Sequence, residues 1–241
     1  MRPICNCGSA TPTPDQLAAN DQVAGHNRAR LADHGVLAIN LMSSTAAGRA
    51  ALLDATIVAL GNGYRIAVID GNQGADADWH QCHRRSMPSV PIGAISACHL
   101  HASLVEGALR DLPLSRIDLL FIGNVSSLVG SAGYDLGQHR NVTVLSSTDS
   151  NHTPVEFQLI LRNTDLVILS KAELLEVMPG TDSAQAAVAL RMMGRRTPLI
   201  QSVALRARSL APWLQWIEKQ LRFRRSKRPA CAPMIGGAVW G

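Results

Sequence analysis

The stretch "LAINLMSSTAAGRAALLDATIVAL", residues 37–60, narrows most sharply what this chain can become. An apolar run of strand length passes through a turn of small residues into a helical continuation. That succession is how a phosphate-binding loop is built: the strand delivers the chain to a helix N-terminus whose free N–H groups face an anion. A working loop of this type reads G-x-x-x-x-G-K-[ST]. Here Ser43 opens the loop and Gly48 is kept, but Arg49 and Ala50 stand where Lys and Ser or Thr are needed. The backbone pattern is that of a nucleotide site, and the side chains are not.

The rest of the chain repeats the strand-then-helix theme. Apolar runs that read as strands occupy residues 35–42, 64–70, 89–92, 117–123, 141–146, 165–170 and 197–203. The longer ones are nearly all apolar, as strands covered on both faces must be. Helical segments fall between them at 49–61, 98–112, 153–163, 182–194 and 210–221. An amphipathic helix precedes them over 14–35, with Leu17, Ala24 and Leu31 seven apart and Gly35 as its stop. Alternating units of this kind predict an α/β fold with a doubly wound, mostly parallel sheet flanked by helices. Ligands of such sheets bind at the carboxyl ends of the strands, where residues 43–50 fall. With 46% hydrophobic residues but only 4% aromatics, the core is expected to be aliphatic.

The formal charge of +5 resides in "RFRRSKR": without Arg222, Arg224, Arg225, Lys227 and Arg228 the remaining charges balance. The expected organisation is a mobile arm over 1–14, one domain over 15–221 and a basic disordered tail over 222–241. A nucleic-acid role is not expected of the globular part. The absence of a membrane-length apolar run or a leader pattern points to a soluble, cytoplasmic protein. Five cysteines without such a leader favour thiol or metal chemistry over a disulfide framework.

Several separated stretches then align with one family. "NRARLADHGVLAINLMSS", "VIDGNQGADAD", "CHLHA", "LLFIGNVSSLVGSAGYDLG" and "DLVILSKAELL" resemble, in order and spacing, the motifs of the HypB family of nickel-inserting hydrogenase maturation GTPases. The resemblance runs from Cys5 to about Leu221. It implies a P-loop NTPase-like fold of the SIMIBI type and a homodimer that works with other hydrogenase maturation proteins on the hydrogenase large subunit. Nickel or zinc, and GTP with Mg²⁺, are the implied ligands.

Residue by residue, the resemblance marks where this chain departs from it. Ala46, Ala47 and Gly48 leave room for a phosphate against the helix N-terminus. Arg49 keeps the positive charge of the family's Lys on a broader, longer side chain that is still expected within reach of phosphate. Ala50 lacks the hydroxyl that ligates Mg²⁺. Asn72 replaces an acid, with Asp70, Asp76 and Asp78 nearby. Gly123 replaces a glutamate, and Ser126 a glycine whose N–H meets the γ-phosphate. In base recognition, Lys171 is kept to cover the ring, whereas Glu173 carries its carboxylate one methylene too far. Together these changes predict weak or absent hydrolysis, with a slow but functional GTPase as the alternative. A third reading is an unrelated P-loop-like protein.

For metal, Cys98 and His99 match the family's Cys-His pair, and His101 is an additional donor. The family's distant cysteine is Gly130 here. His80, Cys82 and His83 form a further donor-rich stretch. Cys5 and Cys7 correspond to part of a C-x-x-C-G-C nickel site whose first cysteine is Arg2. Cys231 has no counterpart.

Overall fold

The computed structural model describes residues 13–43, 46–71, 87–92, 100–124, 134–146, 160–170, 197–201 and 207–226. Helix α1 spans Pro14–Asp33 and opens on a capping box, in which Gln16 N–H donates to the Thr13 hydroxyl and Thr13 N–H to the Gln16 side chain. Thr13 and Pro14 therefore belong to this helix and not to the expected arm. Gly35, at φ 69°, ends it, with Val36 N–H returning to Leu31 O at 2.9 Å.

The strands are β1 Leu37–Ser43, β2 Ile66–Asp70, β3 Ser89–Pro91, β4 Leu119–Gly123, β5 Arg140–Ser146, β6 Leu166–Ser170 and β7 Leu199–Gln201. Helix α2 spans Ala46–Leu60, α3 Ala102–Asp111 and α4 Ala207–Ser226, with a 3₁₀ turn at Leu114–Arg116. One seven-stranded sheet forms in the order β3-β2-β4-β1-β5-β6-β7, with each neighbouring pair parallel. Each expected strand is present. The helices read at 153–163 and 182–194 lie wholly or mostly outside the described residues, with residues 160–162 helical.

Side chains alternate across the sheet, so each strand feeds two cores. Leu37, Ile39 and Leu41, with Ile66, Val68, Leu119 and Phe121, face α2 and α4. Ala38, Ala67, Ile69, Leu120 and Ile122 face α3 and the end of α1. The core expected to be aliphatic also carries Phe121 and Trp213: Trp213, 1% exposed, lies 6.5 Å from the Phe121 ring and stacks on Trp216. Its indole N–H donates to Thr56 Oγ1 at 2.8 Å, so burying it leaves no polar atom unmatched and ties α4 to α2.

Helix α4 does not stop at Leu221. It continues through Arg222, Arg224 and Arg225 to Ser226, and Arg224 Nη2 donates to Val36 O at 3.2 Å. The first five residues expected to be disordered tail thus complete a helix packed on the sheet; residues 227–241 lie outside the described residues. Among the described residues, no helix is long and apolar enough to cross a membrane.

At the amino end of β5, His139 Nδ1 accepts Ala38 N–H at 3.0 Å, which places the proton of the neutral ring on Nε2. Burial, and then the positive charges of Arg224, Arg28 and Arg140, lower its pKa from 6.5 to about 3. Above pH 6.5 the imidazole is neutral in both the folded and unfolded chain. Below it, the unfolded chain takes up a proton that the folded chain refuses until about pH 3. Stability is therefore whole above pH 6.5 and falls across this window, by up to about 1.4 kcal/mol per pH unit. Urea denaturation at pH 7 and pH 5 should show a loss of about 2 kcal/mol that is absent in His139→Gln.

Candidate functional site

Strands β2, β4 and β1 lie side by side, so Asp70, Gly123 and Ser43 arrive together at the carboxyl edge of the sheet. Two backbone bonds continue the pairing past the strands: Asn124 N–H donates to Leu41 O at 3.1 Å and Gly71 N–H to Gly123 O at 2.9 Å. Helix α2 begins at Ala46, immediately beyond this edge. This is the strand-to-helix turn at the centre of a doubly wound sheet that the sequence predicts for a phosphate loop.

The polar residues of this edge are buried. Ser43 and Arg49 are each 1% exposed, Asp70 is 4% and Asn124 is inaccessible. Arg49 sits in the first turn of α2 and sends its guanidinium back toward the strand ends, where Nη1 donates to Asn124 O at 2.6 Å. Gly123 explains the space. A β-carbon there would lie 3.5 Å from Arg49 Nε and 3.5 Å from Asp70 Oδ1. A methyl group fits at that distance, but the carboxylate arm of a glutamate would enter the volume between the guanidinium and the aspartate. The absence of a side chain at residue 123 thus leaves room for the Arg49 guanidinium.

Arg49 is thus buried, with Nη1 on the Asn124 carbonyl. A helix N-terminus remains: Ala46 and Ala47 open α2, and Gly48 is half-buried beside them. Backbone N–H groups at that position suit an anion. The residues present do not suit its cation. Ala50, 9% exposed, offers only a methyl group where a hydroxyl would ligate Mg²⁺, and a guanidinium fixed nearby repels a divalent ion. Asn72, Asp76, Asp78, Ser126, Lys171 and Glu173 lie outside the described residues.

Of the sequence-predicted metal donors, His101 is described. It is the N-cap of α3, and its ring meets Tyr134 edge-on, 4.7 Å between centroids. Cys98, His99, His80, Cys82, His83, Cys5, Cys7 and Cys231 lie outside the described residues, as does Gly130. Among the described residues no three His, Cys, Asp or Glu side chains gather as a metal site.

A brace around Ala102 went unread in the sequence. Ala102 N–H donates to Asn20 Oδ1 at 2.9 Å, and Ala102 O accepts from Asn27 Nδ2 at 2.8 Å. The same asparagines donate to Asp135 O and Leu136 O, at 2.7 and 3.1 Å. Gly137, at φ +90°, allows that loop to approach, since a β-carbon there would fall 2.5 Å from Asn27 Cβ. Helix α1 therefore holds the entry to α3, directly after the Cys-x-x-His segment of residues 98–101, against the loop at 134–138. The available signal was the seven-residue separation of Asn20 and Asn27 on the apolar stripe of α1.

No protein-family model matches the chain. It is 36% identical over 209 residues to the hydrogenase maturation factor HypB of Azotobacter vinelandii, covering 86% of this chain and 68% of that protein. With the probable hydrogenase maturation factor HypB of Methanocaldococcus jannaschii it shares 37% identity over 164 residues, covering 68% of this chain and 74% of that one. With Escherichia coli HypB the identity is 32% over 206 residues, covering 86% and 71%. The crystal structure of HypB from Archaeoglobus fulgidus superposes with a TM-score of 0.77 at 27% identity, covering 85% of this chain and 100% of that one. That of Helicobacter pylori HypB in complex with nickel gives a TM-score of 0.77 at 24% identity, covering 89% and 99%, a likeness of fold.

A buried guanidinium bonded to a strand-end carbonyl contributes to the folded state, whereas a phosphate-facing lysine in the free protein does not. Arg49→Ala should therefore lower stability by about 2–3 kcal/mol without any nucleotide present. Urea denaturation measures it, and an unchanged midpoint would place the side chain in solvent.

Proposed function

The chain belongs to the HypB family of hydrogenase maturation factors, and from that premise we propose that it is an accessory protein for nickel insertion whose GTPase site hydrolyses nucleotide weakly or not at all. The observation that carries the second half of this reading is the Arg49 guanidinium, buried on Asn124 O. Phosphoryl transfer on a P-loop is positioning and charge neutralisation: a lysine on the β and γ phosphates, and Mg²⁺ held by a hydroxyl and an acid. Arg49 is engaged elsewhere and Ala50 has no oxygen. Asn72 and Gly123 replace the two acids of the family motifs. Each loss removes stabilisation specific to the transition state, and about 1.4 kcal/mol is a factor of ten in rate.

The metal-handling half of the reading rests on donor chemistry. Cys98, His99 and His101 supply one sulfur and two imidazoles within four residues of sequence, a borderline-soft set suited to nickel or zinc. Three donors from one chain leave room for a ligand from a second copy, which supports a homodimer with the site at its interface. Cys5 and Cys7 form a secondary candidate site. Other maturation proteins and the hydrogenase large subunit are the partners this role implies, and the cytoplasm is its setting.

A second reading, a nickel-delivery GTPase that still hydrolyses GTP, is favoured by one observation: β1, the helix N-terminus and Gly48 are all retained. The two readings part in a magnesium-dependent GTPase assay run beside the Methanocaldococcus relative. Turnover at least about 100-fold lower is expected for this chain, from the loss of ~3 kcal/mol or more. Equal turnover would establish the second reading. Independently, nickel or zinc should bind the purified protein in stoichiometric amount and be lost in Cys98→Ala and His99→Ala. Binding that survives both substitutions would remove this segment from the site.

A further inference from the structure

The amino edge of the sheet, opposite the candidate nucleotide site, carries a group of cations that the proposed function does not use. Arg140 opens β5. Its Nε donates to Gln220 Oε1 at 2.8 Å and its Nη1 to His139 O at 2.9 Å. Arg224 reaches the same edge from the last turn of α4, with Nη2 on Val36 O. Both guanidiniums are held by neutral acceptors, and each keeps N–H groups beyond the bonds just named. His139 directly precedes Arg140, and the charges of both arginines act on its ring. Its main-chain N–H donates to Ala38 O and its ring Nδ1 accepts Ala38 N–H, while its Nε2, which carries the ring proton, is buried without a hydrogen-bond partner.

The carboxylates on neighbouring elements are engaged elsewhere. Arg28 Nη2 donates to both oxygens of Asp135. Asp165 accepts Asn141 N–H at 2.8 Å, and Glu218 pairs with Arg222. Among the described residues neither Arg140 nor Arg224 has a carboxylate partner. The carbonyls that hold them belong to one corner of the sheet, since Val36 leads into β1 and His139 N–H donates to Ala38 O at 2.9 Å; burial, and then the charge of Arg140, lower the Arg224 pKa. Such an arrangement costs free energy unless an anion relieves it, and planar guanidiniums on fixed carbonyls are preorganised to receive oxygen atoms.

We propose that Arg140 and Arg224, backed by His139, form a binding site for a doubly charged oxyanion of the phosphate type at the amino edge of the sheet, separate from the P-loop-like turn. This site also absorbs part of the basic "RFRRSKR" segment into the folded domain.

The test is a titration of the full chain with inorganic phosphate, without nucleotide, at ionic strength held constant with sodium chloride. At ten times the dissociation constant the wild-type melting temperature should rise by about 3 °C, and Arg140→Gln/Arg224→Gln should lose that rise. A rise retained in the double variant would move the phosphate elsewhere, and no rise in the wild type would overturn the site outright. Should the double variant not fold, the imidazole resonances of His139 in the wild type decide: they should shift on adding phosphate, and resonances that stay put would sink the proposal. None of these readouts involves metal or GTP, so failure here leaves the hydrogenase-maturation reading untouched, and the reverse.

Discussion

Parallel strands can be joined only by connections that cross back over a face of the sheet, and this requirement governs the molecule. Both faces must be covered, so the strands are apolar on both sides and sort alternate residues into two cores. All strands also deliver their carboxyl ends to one edge. The centre of that edge gathers Ser43, Asp70, Gly123 and Asn124 from three strands distant in sequence, with α2 starting above them. A site at this place follows from the winding and not from any single motif. The winding is retained here while the side chains at the site have changed.

Those side chains show how a nucleotide site can become interior. A P-loop lysine keeps its charge at the loop surface for a ligand, so the free protein carries an unsatisfied cation there. Arg49 takes the opposite course. Its longer stem turns under the loop, its guanidinium bonds a backbone carbonyl, and the space is supplied by Gly123. A buried guanidinium needs acceptors around it, and the strand-end carbonyl of Asn124 supplies one to Nη1. The outcome is a cation buried beside Asp70 and Asn124 at the centre of this edge.

Much of the fold was legible in the sequence because it is local: apolar runs of strand length, helices between them, and Gly35 at the end of α1. Even the three-residue strands β3 and β7 fell where expected, since Pro-bounded apolar runs mark them. Two things were not legible. The end of α4 was read as tail because "RFRRSKR" is so strongly charged, yet Arg224 finds a carbonyl on a segment 188 residues away, which no local pattern encodes. The inward turn of Arg49 depends on Gly123 in the same way. Taken separately, one substitution reads as a charge kept for phosphate and the other as a lost acid. Their nearness is visible only in the fold, where a β-carbon on Gly123 would lie 3.5 Å from Arg49 Nε.

The asparagines of α1 make the same point for buried polarity. A helix stripe with Ala24 and Leu31 at its core suggests a purely apolar contact, but Asn20 and Asn27 on that stripe are buried too. The reason lies in what α1 packs against. A helix N-terminus and an irregular loop both carry backbone groups without partners of their own, and covering them with leucine would strand those groups away from water. An amide side chain offers a donor and an acceptor together, so Asn20 can take Ala102 N–H while giving to Asp135 O, and Asn27 can bridge Ala102 O and Leu136 O. The polar residues of α1 are therefore dictated by the irregular backbone beneath them. The entry to α3 and the loop before β5 are thus held together by a helix whose own contribution is two amide side chains.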